Sequence, residues 1–190
     1  KKFSINVDAG ERIAVIGNNG IGKSTLLRCF MNDLKIDSGK VVWSKNVKIG
    51  YFAQNHNEEF KYDINLVDWM AKWGQKDDDM QVIRATLGRL LFSQDNIEKS
   101  IKVLSGGEKR RMIFGKIILQ RPNVIVLDEP TNHLDMESIE SLNLALSRFE
   151  GTIIFASHDR EFISSLATRI IEIKKDSIHD YSSNHELLRT

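Results

Sequence analysis

Short, nearly uninterrupted apolar runs recur along the chain, and they predict the buried strands of a parallel sheet. The runs cover residues 12–16, 123–127 and 152–156. A strand that is buried on both faces has such a run, whereas a half-exposed strand alternates apolar and polar positions. A further extended segment is predicted at 169–173. We therefore expect these segments to form the centre of one sheet.

Helical spacing of apolar residues separates these strands. The predicted helices cover residues 25–31, 64–96 (as two helices), 104–120, 137–149, 162–167 and 184–189. The acidic triplet Asp77-Asp78-Asp79 suits the beginning of the second helix in 64–96, because negative side chains are favoured at a helix N-terminus. Strands that alternate with helices favour an α/β fold with a doubly wound, mainly parallel sheet.

Two smaller parts are predicted around this sheet. Residues 1–7, 40–43 and 47–52 resemble additional strands, and the last two would form a hairpin. These strands predict a small antiparallel β subdomain. Residues 64–100 are predicted to be a helical insert, and the whole chain of 190 residues is expected to be a single domain.

Composition and charge narrow the class of protein. The chain is 41% hydrophobic and 28% charged with a net charge of +1, so no global field indicates nucleic acid or membrane as a partner. No apolar run approaches the ~18 residues of a membrane span. The single cysteine, Cys29, fits a reducing compartment and predicts a cytoplasmic protein. The chain begins with Lys1 rather than Met, and we expect it to be an excerpt of a longer protein.

The first run leads into a phosphate-binding loop of the pattern G-x-x-x-x-G-K-[ST]. The loop consists of Gly17, Asn18, Asn19, Gly20, Ile21, Gly22, Lys23 and Ser24. Its glycines let successive backbone N–H groups converge on an anion, and the following helix adds the positive end of its dipole. Lys23 is expected to reach the outer phosphates of a nucleotide, and the Ser24 hydroxyl to ligate Mg²⁺.

Polar side chains follow two of the other apolar runs directly. Asp128 and Glu129 come after the run at 123–127, and His158 comes after the run at 152–156. We expect Asp128 to serve Mg²⁺ and Glu129 to act as general base on the attacking water, while His158 senses or polarises the terminal phosphate. The alternatives are a solvated turn or helix cap for the carboxylates, and a capping or core histidine for His158.

A second loop completes a family pattern. Ser105, Gly106 and Gly107 lie ahead of a helix and alone would indicate only a good N-cap. Together with the phosphate-binding loop they make the chain resemble an ATP-binding-cassette (ABC) nucleotide-binding domain with a P-loop NTPase core. LSGGE at 104–108 resembles the family signature, Gln54 its Q-loop, Leu134-Asp135 its D-loop and His158 its switch histidine.

The resemblance implies further site residues. It implies that Gln54 takes part in catalysis and ligates Mg²⁺, and that the part of the fold carrying the signature is a helical subdomain. It also implies that ATP is contacted by the phosphate-binding loop together with Thr25, Ser105, Gly106, Gly107 and Asp135. The family stacks adenine on an aromatic residue ahead of the phosphate-binding loop, and this chain begins too late to include it.

A subfamily is also indicated. The run from Glu129 to Asp135, EPTNHLD, together with LSGGEK at 104–109, is similar to the ABC-F group. Members of that group carry two cassettes on one chain, lack membrane segments and mostly act on ribosomes. No extra helical arm follows Gln54, so the chain resembles the second cassette of such a protein.

The expected function is ATP hydrolysis that couples the closure of paired cassettes to an event on the ribosome. The partner would be a second cassette on the full-length chain, or a second copy of the excerpt. Two alternatives stay open, namely the motor of a membrane transporter and an ATPase of DNA maintenance. The basic residues Lys109, Arg110, Arg111 and Lys116 could touch nucleic-acid phosphates, although a charge run on a helix is usually a solvated face.

Overall fold

The computed structural model describes residues 3–54 and 56–181 and contains a six-stranded sheet. The strands are β1 (Arg12–Gly17), β2 (Ile49–Phe52), β3 (Val124–Asp128), β4 (Thr152–Ala156), β5 (Arg169–Ile173) and β6 (Ile178–Tyr181). They lie in the order β2-β3-β4-β1-β5-β6. The pairs β3·β4, β4·β1 and β1·β5 are parallel, and β5·β6 is antiparallel. The predicted α/β fold with a mainly parallel sheet is confirmed.

The central strands are buried, as their apolar runs predicted. Every residue of β3 and β4 is buried. Their side chains form one core with those of β1 and β5, and Leu27 of the first helix packs into it. Burial of apolar area of this extent is the main force that holds a parallel sheet together.

Six α-helices accompany the strands in the part of the chain that the structure describes. They are α1 (Lys23–Phe30), α2 (Leu66–Ala71), α3 (Met80–Arg89), α4 (Gly106–Gln120), α5 (Met136–Ser147) and α6 (Arg160–Leu166), and 3₁₀ turns cover Asn57–Phe60 and Ile101–Val103. None of them is long and apolar enough to cross a membrane. Asp79 caps α3 by accepting a hydrogen bond from Val82 N–H, which confirms the helix start predicted from the acidic triplet.

The chain divides into two compact units. One comprises the chain up to Tyr51 and from Asn123 onward, and the other is Phe52–Pro122. The second unit contains α2, α3 and α4, and its core includes Trp69, whose ring stacks on Phe60 with 5.2 Å between the ring centroids. Whether the chain acts as one domain with an insert at 64–100 stays a prediction.

The strands predicted for a small antiparallel β subdomain are not formed in the described residues. Residues 3–7 and 40–43 form no strand, so the expected hairpin is absent from the described residues, and β2 begins only at Ile49 and joins the sheet edge. The alternation that suggested strands is real burial, because Phe3, Ile5, Val7 and Trp43 pack against the core. Trp43 also donates its indole N–H to Phe30 O at 2.7 Å. An alternation of apolar and polar residues can therefore reflect alternating burial in a segment whose backbone is not paired with another strand.

One strand escaped prediction. β6 has four residues, two of them polar, and it follows a polar turn, so no apolar run marks it. It is held by pairing with β5 and by Arg169, whose guanidinium donates to both carboxylate oxygens of Asp180 at 2.8 and 2.6 Å. The helix predicted at 184–189 lies outside the described residues.

Two glycines give a matched test of this packing. A Cβ at Gly151 would lie 2.4 Å from the backbone O of Asn123, at the start of β3 and β4, whereas a Cβ at Gly88 in α3 meets nothing within 4 Å. We expect Gly151→Ala to lower the free energy of unfolding by about 1–3 kcal/mol or more, as overpacking does. Gly88→Ala should raise it by about 0.5–1 kcal/mol, because alanine is the better helix former. Urea unfolding of both variants checks this, and equal effects would contradict it.

Candidate active site

The parallel register of three neighbouring strands brings the candidate residues to one sheet edge. Asp128 at the end of β3 pairs in register with Ala156 at the end of β4, and Ala156 pairs with Val15 of β1. Parallel strands end at the same edge, so the residues that follow them meet there. These are the phosphate-binding loop after β1, Glu129 after β3 and His158 after β4.

The phosphate-binding loop has the backbone conformation that its glycines permit. Gly17, Gly20 and Gly22 all have positive φ angles. A Cβ at Gly17 would lie 2.6 Å from Ile173 O of β5, so glycine is required there. Gly22 is the N-cap of α1 and provides no side-chain hydrogen bond to the helix N–H groups. In the described chain, each of the other five α-helices has a side-chain cap, so α1 is the helix whose N–H groups are left to an anion.

The remaining residues of the loop are placed as the pattern requires. Asn18, Asn19 and Gly20 are exposed, and Ile21 N–H donates to Asn18 O at 3.2 Å to close a turn. Thr25 is exposed on the first turn of α1.

The Lys23 side chain turns back onto the phosphate-binding loop and contacts its first residue, Gly17. Its side chain is buried, with 7% of the residue exposed, and its Nζ donates to Gly17 O at 3.0 Å. The same Nζ is 3.7 Å from Glu129 Oε1. An anion that enters the loop therefore meets a buried cation whose present partners are one carbonyl and one carboxylate.

Asp128 and Ser24 form a second pair at this edge. The Ser24 hydroxyl donates to Asp128 Oδ1 at 3.0 Å, and Asp128 is 2% exposed. Burial raises the pKa of Asp128, and the negative charge of Glu129 raises it further, while the Ser24 hydrogen bond and the charge of Lys23 oppose the rise. The site holds more negative charge than one lysine compensates.

Glu129 has the most constrained backbone of the site. Its φ is 50°, in the left-handed region, which costs a residue with a Cβ about 1 kcal/mol. Its N–H donates to Ala156 O at 2.9 Å, and that bond fixes the turn. Glu129 Oε2 lies 2.8 Å from His158 Nδ1. The His158 side chain is 63% exposed, so one carboxylate oxygen faces Lys23 in the interior and the other faces an imidazole open to solvent.

The donor set at this edge fits Mg²⁺. A hydroxyl and a buried carboxylate are the hard oxygen ligands that this ion prefers. No group of three or more histidine, cysteine or acidic side chains in the described residues could hold a metal by itself. A site with few protein ligands suits Mg²⁺, which usually keeps several waters and binds through substrate phosphates.

The other predicted site residues begin or precede helices, and two of the motifs belong to the second unit. Gln54 is exposed in the second unit, after β2, and its backbone O accepts a hydrogen bond from Arg110 at 3.4 Å. Ser105 caps α4 in a reciprocal capping box with Glu108, and Gly106 and Gly107 form the first turn of that helix. Asp135 is the N-cap of α5 and accepts a hydrogen bond from Ser138 N–H at 2.8 Å.

The basic residues of α4 are occupied within their own unit. Lys109, Arg110, Arg111 and Lys116 each lie over an aromatic ring, at 5.8, 5.6, 5.3 and 4.1 Å from the ring centroids of Phe60, Phe52, Phe92 and Trp73. Lys116 also pairs with Glu59 at 2.6 Å. These contacts give the four cations a role in packing α4 within its unit, and contact with nucleic-acid phosphates stays an open alternative.

The sequence did not single out Tyr51, which lies in the electrostatic field of the site. Burial raises the pKa of Tyr51 to about 12, and the charge of Asp128 contributes to the rise. No motif marks this residue, because Tyr51 and Asp128 come close only through the order of the strands.

Comparison with known proteins agrees with this geometry. Residues 1–132 match the family described as ABC transporter. The chain is 58% identical over 186 residues to the "Probable ATP-binding protein YbiT" of Escherichia coli O157:H7. The aligned region covers 98% of this chain and 35% of that protein. It is 38% identical over 188 residues to "ABC transporter F family member 5" of Arabidopsis thaliana, covering 97% of this chain and 27% of that protein.

A solved structure has the same fold. The chain superposes with a TM-score of 0.74 and 24% identity on the complex of the archaeal ribosomal stalk protein aP1 and the archaeal ribosome recycling factor aABCE1, covering 87% of this chain and 32% of that one. The chain spans about a third of the length of its curated relatives, 35% and 27% for the two named above.

The charge at Asp128 gives a prediction for stability. Asp128→Asn removes a buried charge and keeps an oxygen that accepts the Ser24 hydrogen bond. An acid with a raised pKa binds its proton more tightly when folded, so it stabilises the fold at low pH and loses that contribution as pH rises past its ordinary value of about 3.9. We expect the variant to melt at a higher temperature than the wild type at pH 7, and to gain nothing from Mg-ATP.

Thermal unfolding from pH 4 to 8, with and without Mg-ATP, measures this effect. Exposed Asp176 provides the matched control, since Asp176→Asn changes the same functional group outside the site. A lower melting temperature for Asp128→Asn at pH 7 would show that the carboxylate stabilises the fold instead.

Proposed function

This chain belongs to the ABC transporter family, and we propose that it is an ATP-hydrolysing cassette that works in a pair and couples its closure to an event on the ribosome. Family membership makes it an ATP-binding domain of the F type, as its similarity to YbiT and to F-family members indicates. Hydrolysis, pairing and the ribosome are the parts that we propose. Such a protein would work in the cytoplasm.

The observation that carries the proposal is the position of the Glu129 carboxylate. One oxygen lies 2.8 Å from His158 Nδ1 and the other 3.7 Å from Lys23 Nζ. A carboxylate in hydrogen-bonding reach of an exposed imidazole is suited to accept a proton from water. The left-handed turn at Glu129 directs it there, and strain of this kind persists where the surrounding structure enforces it.

The other residues of the edge would bind the nucleotide. The N–H groups of the loop from Gly17 to Ser24 would surround the phosphates, and Lys23 would exchange Glu129 for a phosphate oxygen. Ser24 and Asp128 would hold Mg²⁺, which when bound supplies positive charge against the outer phosphates. His158 would orient Glu129 and the terminal phosphate, so that the general base stays aligned.

The proposal of the ribosome as partner rests on the family resemblance. The F group mostly acts on ribosomes, and the solved structure with the same fold contains a ribosome recycling factor bound to a stalk protein. At 24% identity that likeness supports the fold, so the ribosome part of the proposal needs its own experiment.

Glu129→Gln tests the chemistry. The amide has the same shape and cannot accept the proton, so in the full-length protein ATP binding should survive while hydrolysis falls by roughly 10²-fold or more. Single-turnover hydrolysis and calorimetric ATP titration measure the two quantities. A wild-type rate in the variant would assign the base to another group.

The same variant tests the partner. ATP held without hydrolysis should keep the full-length protein on ribosomes, and the bound fraction can be measured by pelleting. Glu140→Gln is the matched control, since Glu140 is exposed on α5 and the change removes a carboxylate away from the predicted site residues. Retention on membrane vesicles rather than ribosomes would favour the transport alternative.

We also propose that the site is completed by a partner. In the cassette family the signature serves the nucleotide that the opposing domain holds. Here Ser105, Gly106 and Gly107 belong to Phe52–Pro122, whereas Lys23, Asp128 and Glu129 belong to the other unit. A single copy would then provide two half-sites, one built on the sheet and one on α4.

The rate as a function of protein concentration tests this pairing. This chain by itself should bind Mg-ATP as a monomer, and its specific activity should rise as self-association supplies the missing signature. Ser105→Arg should abolish that activity with ATP affinity nearly unchanged, because it blocks the partner's phosphate. Asp79→Arg removes the cap of α3 at a comparable cost of about 1 kcal/mol and should keep the activity. A high, concentration-independent rate in a verified monomer would contradict the shared site.

A further inference from the structure

Arg110 is a buried cation on α4, the helix that begins at the signature. The residue is 8% exposed, and burial lowers the pKa of its guanidinium. Its Nη2 donates to the backbone O of Gln54 at 3.4 Å, at the long end for a hydrogen bond, and its guanidinium lies 5.6 Å from the centroid of the Phe52 ring. Removing a guanidinium from water is costly, so such a residue has to be held by specific contacts.

A second side chain of α4 holds the same segment. Phe114 is four residues after Arg110, which places both on one face of the helix. Its ring stacks on Phe52, with 4.3 Å between the centroids and 10° between the planes. Phe52 and Gln54 are two residues apart. Helix α4 therefore contacts this short stretch at two points, the ring of Phe52 and the backbone O of Gln54.

The contacts continue beyond Gln54. The ring of His56 packs edge-on against Phe52 at 4.6 Å, and Lys116 of α4 pairs with Glu59 at 2.6 Å. All of these residues lie within Phe52–Pro122. The stretch around Gln54 is therefore held to α4 at Phe52, at Gln54 O and at Glu59.

We infer that Arg110 is a positioning residue for ATP hydrolysis, which fixes the backbone of Gln54 relative to the signature at Ser105–Gly107. The inference rests on the proposed function and on the family resemblance, which implies that Gln54 takes part in catalysis and ligates Mg²⁺. Arg110 lies about 7 Å along a continuous helix from Ser105. Arg110 thereby links the backbone of Gln54 to the helix that begins at the signature.

A double-mutant cycle distinguishes a role of Arg110 through Gln54 from a purely structural role of Arg110. If Arg110 acts through Gln54, its removal costs little once the Gln54 side chain is gone, whereas independent effects multiply. Arg111 supplies the matched control. It is the next residue of α4 and also lies over an aromatic ring, at 5.3 Å from Phe92, which is not part of the Gln54 segment.

The experiment compares Arg110→Met, Gln54→Ala and the double variant in the full-length protein, with Arg111→Met alone and combined with Gln54→Ala. Methionine keeps the apolar packing on Phe52 and cannot donate to the carbonyl. We expect Arg110→Met to lower kcat about tenfold or more, as a misplaced group does, with ATP affinity within about twofold of wild type. The double variant should match Gln54→Ala within about twofold, while the losses from Arg111→Met and Gln54→Ala should multiply.

The outcomes separate this inference from the proposed function. An unchanged kcat in Arg110→Met, or losses that multiply with Gln54→Ala, would overturn the role of Arg110 alone. A wild-type protein that does not hydrolyse ATP, or a Gln54→Ala variant at wild-type kcat, would overturn the proposed function at this residue. If thermal unfolding shows that Arg110→Met does not fold, Arg110→Lys keeps the charge without the fork, and the same non-additivity is required of it.

Discussion

The site depends on two adjacent buried carboxylates beside a single buried lysine. Asp128 and Glu129 carry two negative charges at the end of β3, and Lys23 supplies one positive charge within the same cluster. Burial of an uncompensated charge is costly, and the raised pKa of Asp128 expresses that cost. A fold that keeps this imbalance is prepared for a cation at Ser24 and Asp128. The pairing of the Ser24 hydroxyl with the buried Asp128 carboxylate is the feature of this edge that fits Mg²⁺.

The same imbalance explains how Lys23 is arranged. Its ammonium lies between Gly17 O and Glu129 Oε1, so its charge is partly satisfied by the loop itself and partly by the candidate base. A phosphate that binds in the loop competes with Glu129 for this cation. Once Lys23 has moved to the phosphate, Glu129 keeps His158 as its neighbour. Nucleotide binding and preparation of the base would then be one exchange of partners.

How much of this the sequence could predict follows from which features are local. The phosphate-binding loop, the buried strands β1, β3 and β4, and the cap of α4 each depend on neighbouring residues, and the patterns at 12–24, 104–108, 123–129 and 152–156 identify them. The contact of Glu129 with His158 is not local, but the shared edge of parallel strands made their proximity predictable. The left-handed backbone conformation of Glu129 could not be predicted from the sequence, because a glutamate side chain does not favour that conformation. The false strands at 3–7 and 40–43 failed for a related reason, since alternation reports burial and not a backbone partner.

The basic run on α4 has contacts within its own unit that its composition does not indicate. Four cations on one helix resemble a surface for phosphates, yet each lies over an aromatic ring of its own unit. Cation–π contacts are strongest when the charge is partly desolvated, and half-buried lysine and arginine stems also cover apolar surface. The positive charge of this helix is therefore used to fasten α4 to the segments around Phe52, Phe60, Trp73 and Phe92. Because these contacts include the stretch that carries Gln54, the basic residues of α4 connect two of the motifs that the proposed ATPase would use.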